Sequence, residues 1–296
     1  MRLPMHRKRA AIIGSGSIGI DLMYKAIRSP HLDLSVVVGR NKDSSGLARA
    51  KEAGIETSDE GIDYLARHIN EFDIVFDATS AKGHLANNEV FKKADLLAID
   101  MTPAKIGQLC VPSINLNQMT SASNVNLVTC GGQASIPLAY ALSRAFTSLD
   151  YIEVASTIAA NSAGMATREN INEYMVTTEH ALAKFTGARQ VKAILNINPA
   201  KPGITMQTTV FAKGEYGDLQ AVRDSVNEMV ERVRTYVPGY ELVLEPVQTK
   251  GCLALSVTVQ GSGDYLPPYA GNLDIINCAA IAVAEHRVIN PQRSVA

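Results

Sequence analysis

A glycine pattern between a predicted strand and a predicted helix constrains the fold of this chain more than any other feature. The segment "GSGSIG" matches G-x-G-x-x-G and follows the apolar segment "AAIIG" at 10–14. In such a pattern the first glycine permits a tight turn, the second lets the backbone approach a pyrophosphate, and the third allows close packing of helix on strand. An ordinary turn is the alternative. The flanking elements favour a dinucleotide site at this turn, with Gly14, Gly16 and Gly19 as its glycines.

The order of the remaining elements predicts two parts of different type. A helix at 18–28 and apolar strands at 34–39, 72–79, 95–100 and 125–129 indicate a parallel sheet with helices between most strands. After about residue 150, longer alternating strands at 205–212, 240–248 and 252–261 accompany an amphipathic helix at 218–237. The second part is therefore expected to hold a mostly antiparallel sheet that carries helices.

Charge and cysteine content exclude several classes of function. The 28 Lys and Arg residues nearly cancel the 29 Asp and Glu residues, so no strong field favours nucleic acid or an anionic membrane. No apolar stretch approaches the length of a transmembrane helix. The four cysteines lie far apart without CxxC spacing, which argues against a structural metal site and against disulfides. We expect a cytoplasmic protein that binds small molecules and no metal.

Cys130 is the candidate nucleophile. It follows the strand at 125–129 and precedes Gly131, Gly132 and a helix predicted to begin near Gln133. A helix N-terminus lowers the pKa of a thiol, and the glycines would leave backbone N–H groups free for an oxyanion. A buried packing cysteine is the alternative for any cysteine taken alone. Position and glycines favour the nucleophile here.

A nicotinamide cofactor beside a nucleophilic cysteine predicts aldehyde oxidation. The thiolate adds to an aldehyde, a hydride leaves for the nicotinamide, and a thioester remains for a second nucleophile. Water, phosphate or coenzyme A would each complete the reaction, and the residues alone leave this choice open.

The end of the second strand bears on the cofactor's ribose. The acidic residue that usually bonds the 2′-hydroxyl is missing, and Gly39, Arg40, Asn41 and Lys42 follow the strand. Arg40 can accept a 2′-phosphate, so NADP is possible beside NAD. A solvated basic loop is an equally good interpretation.

Seven segments together resemble the acylating acetaldehyde dehydrogenases, the partners of 4-hydroxy-2-oxovalerate aldolases in aromatic-ring degradation. The likeness runs from about residue 10 to about residue 285. The segments are "GSGSIGIDLMYK", "FDATSAKGHLANN", "AIDMTPAKIGQLCVPSINL", "NVNLVTCGGQASIP", "NSAGMATRENINEY", "YVPGYELV" and "DYLPPYAGNLDIINCAA".

This resemblance implies a Rossmann dinucleotide-binding domain at 1–131, completed by a C-terminal helix at 271–296. It implies an α+β catalytic and dimerisation domain at 132–270, similar to that of glyceraldehyde-3-phosphate dehydrogenase. The implied reaction interconverts aldehyde, NAD and coenzyme A with acyl-CoA and NADH through a thioester on Cys130. A homodimer and an aldolase partner are also implied. The resemblance further implies that Ser15, Gly16, Ser17 and Ile18 hold the cofactor phosphates. The implied nicotinamide end of the site comprises Asn161, Ser162, Ala163, Gly164, Met165 and Asn272.

Four departures from the family pattern bear on the mechanism. Ser17 stands where the family usually has Asn, Met165 and Ala166 replace Pro-Gly, and Arg40 lies near a usual Asp. The fourth is Gln207 and Thr208 in place of Arg-Asp, which leaves the general base unnamed. No histidine is placed to replace it, because the best interpretation of His84, His180 and His286 is a surface or satisfied core histidine.

Three further functions remain open at this stage. A divergent member could reduce a larger acyl-CoA to its aldehyde for an aldolase partner. A phosphorylating semialdehyde dehydrogenase would pair its cysteine with a histidine. A non-catalytic dinucleotide-binding subunit would tolerate Cys130→Ala.

Overall fold

The computed structural model describes residues 7–290, and these pack into two units. The first unit holds the described residues up to 127 and from 277 onward, and the second holds residues 128–276. The predicted boundaries lie a few residues away, at 131 and 271. The helix predicted at 271–296 spans Gly271–Ile289, and residues 291–296 lie outside the described residues.

The first unit is built on a seven-stranded sheet in the order β3-β2-β1-β4-β5-β7-β6. Every strand pairing in it is parallel. The strand order reverses between β1 and β4, and ligands of such sheets bind at this point, outside the carboxyl ends of the strands. The strands are β1 (Lys8–Ile13), β2 (Leu32–Val38), β3 (Glu56–Ser58), β4 (Ile74–Asp77), β5 (Leu97–Asp100), β6 (Gln108–Leu109) and β7 (Asn124–Asn126).

Helices cover this parallel sheet because its strands are apolar toward both faces. On one face, Ala11, Val36 and Val75 pack with Leu65 and Phe91 of two covering helices. The helices of this unit are α1 (Ser17–Arg28), α2 (Ser45–Glu52), α3 (Ile62–His68), α4 (Ala81–Phe91) and α5 (Pro112–Asn115), with short 3-10 turns at Ile69–Glu71 and Leu116–Met119.

The second unit contains a five-stranded sheet in the order β11-β12-β10-β8-β9. Its strands are β8 (Phe146–Ala159), β9 (Gln190–Asn198), β10 (Met206–Tyr216), β11 (Tyr240–Thr249) and β12 (Cys252–Val259). Its helices are α6 (Cys130–Ala145), α7 (Met165–Glu169), α8 (Ile171–Thr186) and α9 (Leu219–Arg234), and a 3-10 turn spans Ala160–Ser162. The next helix, α10 (Gly271–Ile289), begins in this unit.

Side chains of α6 organise the packing of the second unit. This helix packs on α8 and α9, and the buried Tyr240 hydroxyl donates a hydrogen bond to the Ala134 carbonyl of α6 at 2.7 Å. The buried stripe of α9 follows helical spacing, as its predicted amphipathicity requires. It comprises Val222, Val226, Met229, Val230 and Val233.

The predicted fold class, a Rossmann-type parallel sheet followed by an α+β part, is confirmed. The second sheet is mixed, because β8 pairs with β9 in parallel while the other neighbours are antiparallel. Helix α8 makes the crossover that a parallel pair requires, since it lies between β8 and β9 in the chain. None of the described helices is both long and apolar enough to cross a membrane.

Candidate active site

In the glycine turn after β1, a side chain at two of the three glycines would clash with neighbouring backbone atoms. Gly14 has φ of 119°, and a Cβ atom there would lie 2.5 Å from the Ala78 carbonyl oxygen. A Cβ at Gly19 would overlap the Gly14 carbonyl. A Cβ at Gly16 would meet no atom within 4 Å. The first and third glycines are therefore needed by the fold, whereas Gly16 faces open space.

The start of α1 can accept an anion. Gly16 is the N-cap residue and supplies no side-chain oxygen to the first turn, in contrast to α4, where Ser80 accepts from the Gly83 N–H at 3.1 Å. Helix N-terminal N–H groups without a side-chain cap favour negative charge. Ser17 and Ile18 are partly exposed in this first turn.

Polar side chains follow β2 at the same edge of the sheet. The Ser15 hydroxyl lies 2.8 Å from the Ser44 hydroxyl, which joins the glycine turn to the cap of α2. Arg40 is exposed in the segment after β2. The structure thus places a cation on the loop where the sequence predicts ribose recognition.

Cys130 is the first residue of α6, and Thr129 is its N-cap. The Thr129 hydroxyl accepts a hydrogen bond from the Gly132 N–H at 2.9 Å. The helix therefore begins earlier than the predicted start near Gln133, because the threonine cap offsets the poor helix propensity of two glycines. The expectation that both glycine N–H groups are free was wrong, since the Gly132 N–H bonds its own cap.

The Cys130 thiol lies against the hydroxyl of Tyr174, with 3.8 Å between Sγ and Oη. Burial raises the pKa of the Cys130 thiol, while hydrogen bonds from the Tyr174 hydroxyl and the Gly131 N–H act to lower it, and the net direction is upward. The expected lowering of the thiol pKa by the helix N-terminus is thus outweighed by burial. Ionisation of this thiol depends on hydrogen-bond donors close to the sulfur.

Gln207 and Thr208, which replace the family's Arg-Asp, lie on β10 within the second unit. Thr208 is fully buried, and its hydroxyl lies 2.9 Å from the Ser156 hydroxyl of β8. Gln207 is exposed and donates to the Ser256 hydroxyl at 3.0 Å. Ser156 reaches the start of α6, because a Cβ on Gly131 would lie 2.8 Å from its hydroxyl oxygen. Paired hydroxyl groups therefore occupy this position where a carboxylate was expected from the family pattern.

Two parts of the predicted nicotinamide end come together within the second unit. Asn272, in the first turn of α10, is 4% exposed and donates from Nδ2 to the Ser162 carbonyl at 3.0 Å. Its Oδ1 atom is buried and has no hydrogen-bond partner within the described residues. Such an orphaned acceptor fits a donor on a ligand, for example a carboxamide.

The remaining residues of that segment run from the 3-10 turn at Ala160–Ser162 to the start of α7 at Met165. Ala163 is buried, whereas Asn161, Gly164 and Met165 are exposed, Met165 to 75%. Arg168 holds the segment by donating to the Ala160 and Ala163 carbonyls.

His84 lies in a buried cluster with two carboxyl groups. It is fully buried in the first unit, with Nδ1 2.9 Å from Asp77 Oδ2 and Nε2 3.5 Å from Asp100 Oδ2. Burial acts to lower the pKa of His84, but the hydrogen bond to Asp77 and the charge of Asp100 outweigh it and raise the pKa. His84 is thus the satisfied core histidine that the sequence suggested, within a cluster that the sequence interpretation missed. His180 is exposed on α8.

Comparison with known proteins identifies the family. Residues 130–267 match the family model described as prokaryotic acetaldehyde dehydrogenase, dimerisation, and residues 2–127 match that of shikimate / quinate 5-dehydrogenase. An acetaldehyde dehydrogenase of Burkholderia pseudomallei (strain 668) is 60% identical over 97% of both chains. The chain belongs to the acetaldehyde dehydrogenase family. A member from Spirochaeta aurantia is 48% identical over 96% of both chains.

Solved structures show how the family's fold relates to other aldehyde-oxidising enzymes. The chain resembles aspartate semialdehyde dehydrogenase with NADP from Candida albicans, with a TM-score of 0.66 and 13% identity over 95% of this chain and 100% of that one. Aspartate semialdehyde dehydrogenase II from Vibrio cholerae gives a TM-score of 0.63 at 12% identity, over 97% of this chain and 100% of that one. At these identities the likeness shows the fold, which is of the glyceraldehyde-3-phosphate dehydrogenase type.

Proposed function

We propose that this member of the acetaldehyde dehydrogenase family is an acylating enzyme that converts aldehyde, NAD and coenzyme A to acyl-CoA and NADH. The observation that carries the proposal is the Cys130 thiol at the capped start of α6, beside a phenol and a backbone N–H. The named relatives support acetaldehyde as the aldehyde. They therefore favour a two-carbon substrate over the larger acyl-CoA suggested by Met165 and Ala166.

The residues of the second unit would carry the covalent chemistry. The Cys130 thiolate attacks the carbonyl carbon of the aldehyde, and the carbonyl oxygen takes the negative charge. The Gly131 N–H acts to lower the pKa of both the Cys130 thiol and the Tyr174 phenol, as a donor beside both atoms does. Loss of a hydride leaves a thioester on Cys130, which the thiol of coenzyme A then attacks to release the acyl-CoA and restore the free cysteine.

The residues present fit a nicotinamide dinucleotide. In the first unit, the glycine turn Gly14 to Gly19 and the uncapped first turn of α1 fit the phosphates of a dinucleotide. In the second unit, the orphaned Asn272 Oδ1 is an acceptor that fits the carboxamide at the nicotinamide end. The Asn161 to Met165 segment would complete that end. The chemistry that NAD supplies when bound is acceptance of the hydride. The same site would also accept NADP, because an arginine at the position of Arg40 can bind the 2′-phosphate.

We further propose a homodimer formed through the second unit and an association with a 4-hydroxy-2-oxovalerate aldolase. The match of residues 130–267 to the dimerisation domain of prokaryotic acetaldehyde dehydrogenases supports the dimer. Size exclusion of the purified protein with and without such an aldolase tests both statements. Co-elution at micromolar concentration is expected, whereas separate peaks would contradict the complex.

The deciding experiment follows NADH absorbance with acetaldehyde and NAD, with and without coenzyme A. NADH formation should require coenzyme A and vanish in Cys130→Ala. Cys252→Ala is the matched control, because Cys252 is also a partly exposed free cysteine of the second unit and lies on β12. Activity supported by phosphate or water in place of coenzyme A would contradict the acylating class. Full activity of Cys130→Ala would contradict the nucleophile.

A further inference from the structure

Tyr174 is placed against the sulfur of Cys130 by the packing of two helices. It lies in the first turn of α8, is 6% exposed, and directs its hydroxyl to within 3.8 Å of Sγ at the start of α6. The two residues are far apart in the chain, so the contact depends on the tertiary fold. No sequence motif predicts it.

The backbone on both helices fixes the position of this hydroxyl. Gly131 makes room for it, because any Cβ there would overlap the Tyr174 hydroxyl. One turn along α8, the Thr178 hydroxyl donates to the Tyr174 carbonyl at 2.8 Å. The same hydroxyl lies 2.8 Å from that of Thr129, the cap of α6. The lack of a side chain at Gly131 leaves room for the phenol beside the thiol, and the Thr178 hydroxyl links the Tyr174 backbone to the cap of α6.

The other hydroxyl groups near the start of α6 already have partners. Ser156 pairs with Thr208, and Thr129 bonds Gly132 and Thr178. The Tyr174 hydroxyl is the side-chain group that the structure places in hydrogen-bond contact with Sγ within the described residues.

The protonation state of the phenol decides what it can do. Burial and the neighbouring Cys130 raise the pKa of Tyr174 well above its ordinary value. The phenol therefore keeps its proton at neutral pH and is a donor toward a negatively charged sulfur. It is unsuited to remove the thiol proton, which passes to solvent when the thiol ionises.

We propose that Tyr174 is a further catalytic residue, whose hydroxyl donates a hydrogen bond to the Cys130 thiolate and thereby increases the fraction of thiolate. The proposal rests on the proposed function in so far as Cys130 is the nucleophile. It assigns the stabilisation of the thiolate to a neutral donor in a site where Thr208 supplies no carboxylate.

The test measures ionisation of Cys130 in the absence of substrate and cofactor. The full chain is alkylated with iodoacetamide across a range of pH, and modification of the Cys130 peptide is followed by mass spectrometry, which separates it from the other cysteines. In Tyr174→Phe the apparent pKa of the thiol should rise by about one unit, since hydrogen bonds to charged groups are worth one to two units. The full pH profile is needed because a more basic thiolate is also the better nucleophile.

Tyr240→Phe is the matched control. Tyr240 is also a buried tyrosine whose hydroxyl bonds α6, but it donates to the Ala134 carbonyl and not toward Cys130. Its loss should leave the thiol pKa unchanged. An unchanged pKa in Tyr174→Phe, or equal shifts in both variants, would overturn the proposal.

A second variant reaches the same contact from the other helix. Gly131→Ala adds a methyl group where the Tyr174 hydroxyl now lies, so it should displace the phenol and shift the thiol pKa in the same direction. No shift in this variant would also count against the proposal. The NADH assay is independent of alkylation, so an enzyme without coenzyme A-dependent activity but with a Tyr174-dependent thiol pKa would refute the proposed function alone.

Discussion

The two units bury polar groups of different kinds. The first unit encloses carboxylates and an imidazole at the ends of its strands, where Asp77, His84 and Asp100 are each fully buried. The second unit encloses a thiol among neutral hydroxyl groups, with Tyr174 at 3.8 Å and the Ser156–Thr208 pair nearby. The buried groups of the first cluster satisfy one another, which makes that cluster a structural element. Neutral donors let the second cluster accept a negative charge during a reaction.

The contrast between the His84 cluster and Cys130 indicates where a reactive group can lie in such a fold. The histidine with two carboxylate partners looks like a catalytic group, yet the imidazole and both carboxyl groups are fully buried inside the first unit. Cys130 has no such partner among the described residues and retains partial exposure. Partial exposure of the cysteine residue, together with donors that need not be ionised, distinguishes the site from the structural cluster.

Removing His84 should have the largest effect on stability. His84→Leu leaves the buried Asp77 and Asp100 carboxyl groups without the imidazole that contacts both of them, and removing one partner of a buried charged pair costs about 3–5 kcal/mol. Thr178→Val in the second unit removes one neutral hydroxyl at similar volume and should cost about 1 kcal/mol. Urea unfolding at neutral pH measures both. Similar losses in the two variants would break the distinction between charged and neutral clusters.

The glycine turn of the first unit should separate a structural from a ligand-facing position. Gly19→Ala forces a methyl group against the Gly14 carbonyl and should destabilise the protein by about 1–3 kcal/mol. Gly16→Ala meets no atom within 4 Å and should leave stability nearly unchanged while weakening NADH binding. Thermal unfolding and fluorescence titration with NADH measure the two effects. Intact NADH binding in Gly16→Ala would contradict a phosphate site at this turn.

The charged cluster should also give the first unit a pH dependence that the hydroxyl cluster lacks. Burial raises the pKa of Asp100 to about 7, so the folded chain keeps a proton that the unfolded chain releases at lower pH. The stability from this group is complete below the unfolded pKa of about 4 and is lost as the pH rises through about 7.

Asp100→Asn should therefore flatten the decline in stability between about pH 6 and about pH 8, by on the order of 1 kcal/mol. The exposed Asp33→Asn is the control and should keep the parent's slope. Urea midpoints at the two pH values measure the change, and a slope equal to the parent's in Asp100→Asn would show that Asp100 does not titrate in this range.

Much of the first unit could be predicted from sequence because its signals are local. The glycine turn, the strand before it and the helix after it are adjacent, and each predicted strand of the parallel sheet coincides with an observed one to within a few residues. The His84 cluster had an unused signal. Asp77 and Asp100 end neighbouring parallel strands and are paired in register, so their side chains had to meet at one edge.

The second unit shows the limit of local signals. The position of Cys130 at a helix start was predicted correctly, but the start itself was placed too late because the Thr129 cap was not considered. Tyr174 and Ser156 lie on different elements, and nothing in their local sequence marks them as neighbours of Cys130, whereas only the family resemblance drew attention to Thr208. Their convergence arises from packing of α8 and the sheet on α6, which periodicity cannot specify.

Arg40 offers the test with the smallest expected effect, because its guanidinium is exposed, whereas the side chains of the His84 cluster are buried. If it recognises a 2′-phosphate, Arg40→Gln should weaken NADPH binding about two- to fivefold, since a solvated ion pair contributes up to about 1 kcal/mol. NADH binding should not change, because NADH lacks that phosphate. Fluorescence titration with both nucleotides measures the difference, and raised salt should reduce it. Equal weakening of NADH and NADPH binding would assign Arg40 to the shape of the loop. This exposed cation of the first unit would then have no part in choosing the cofactor.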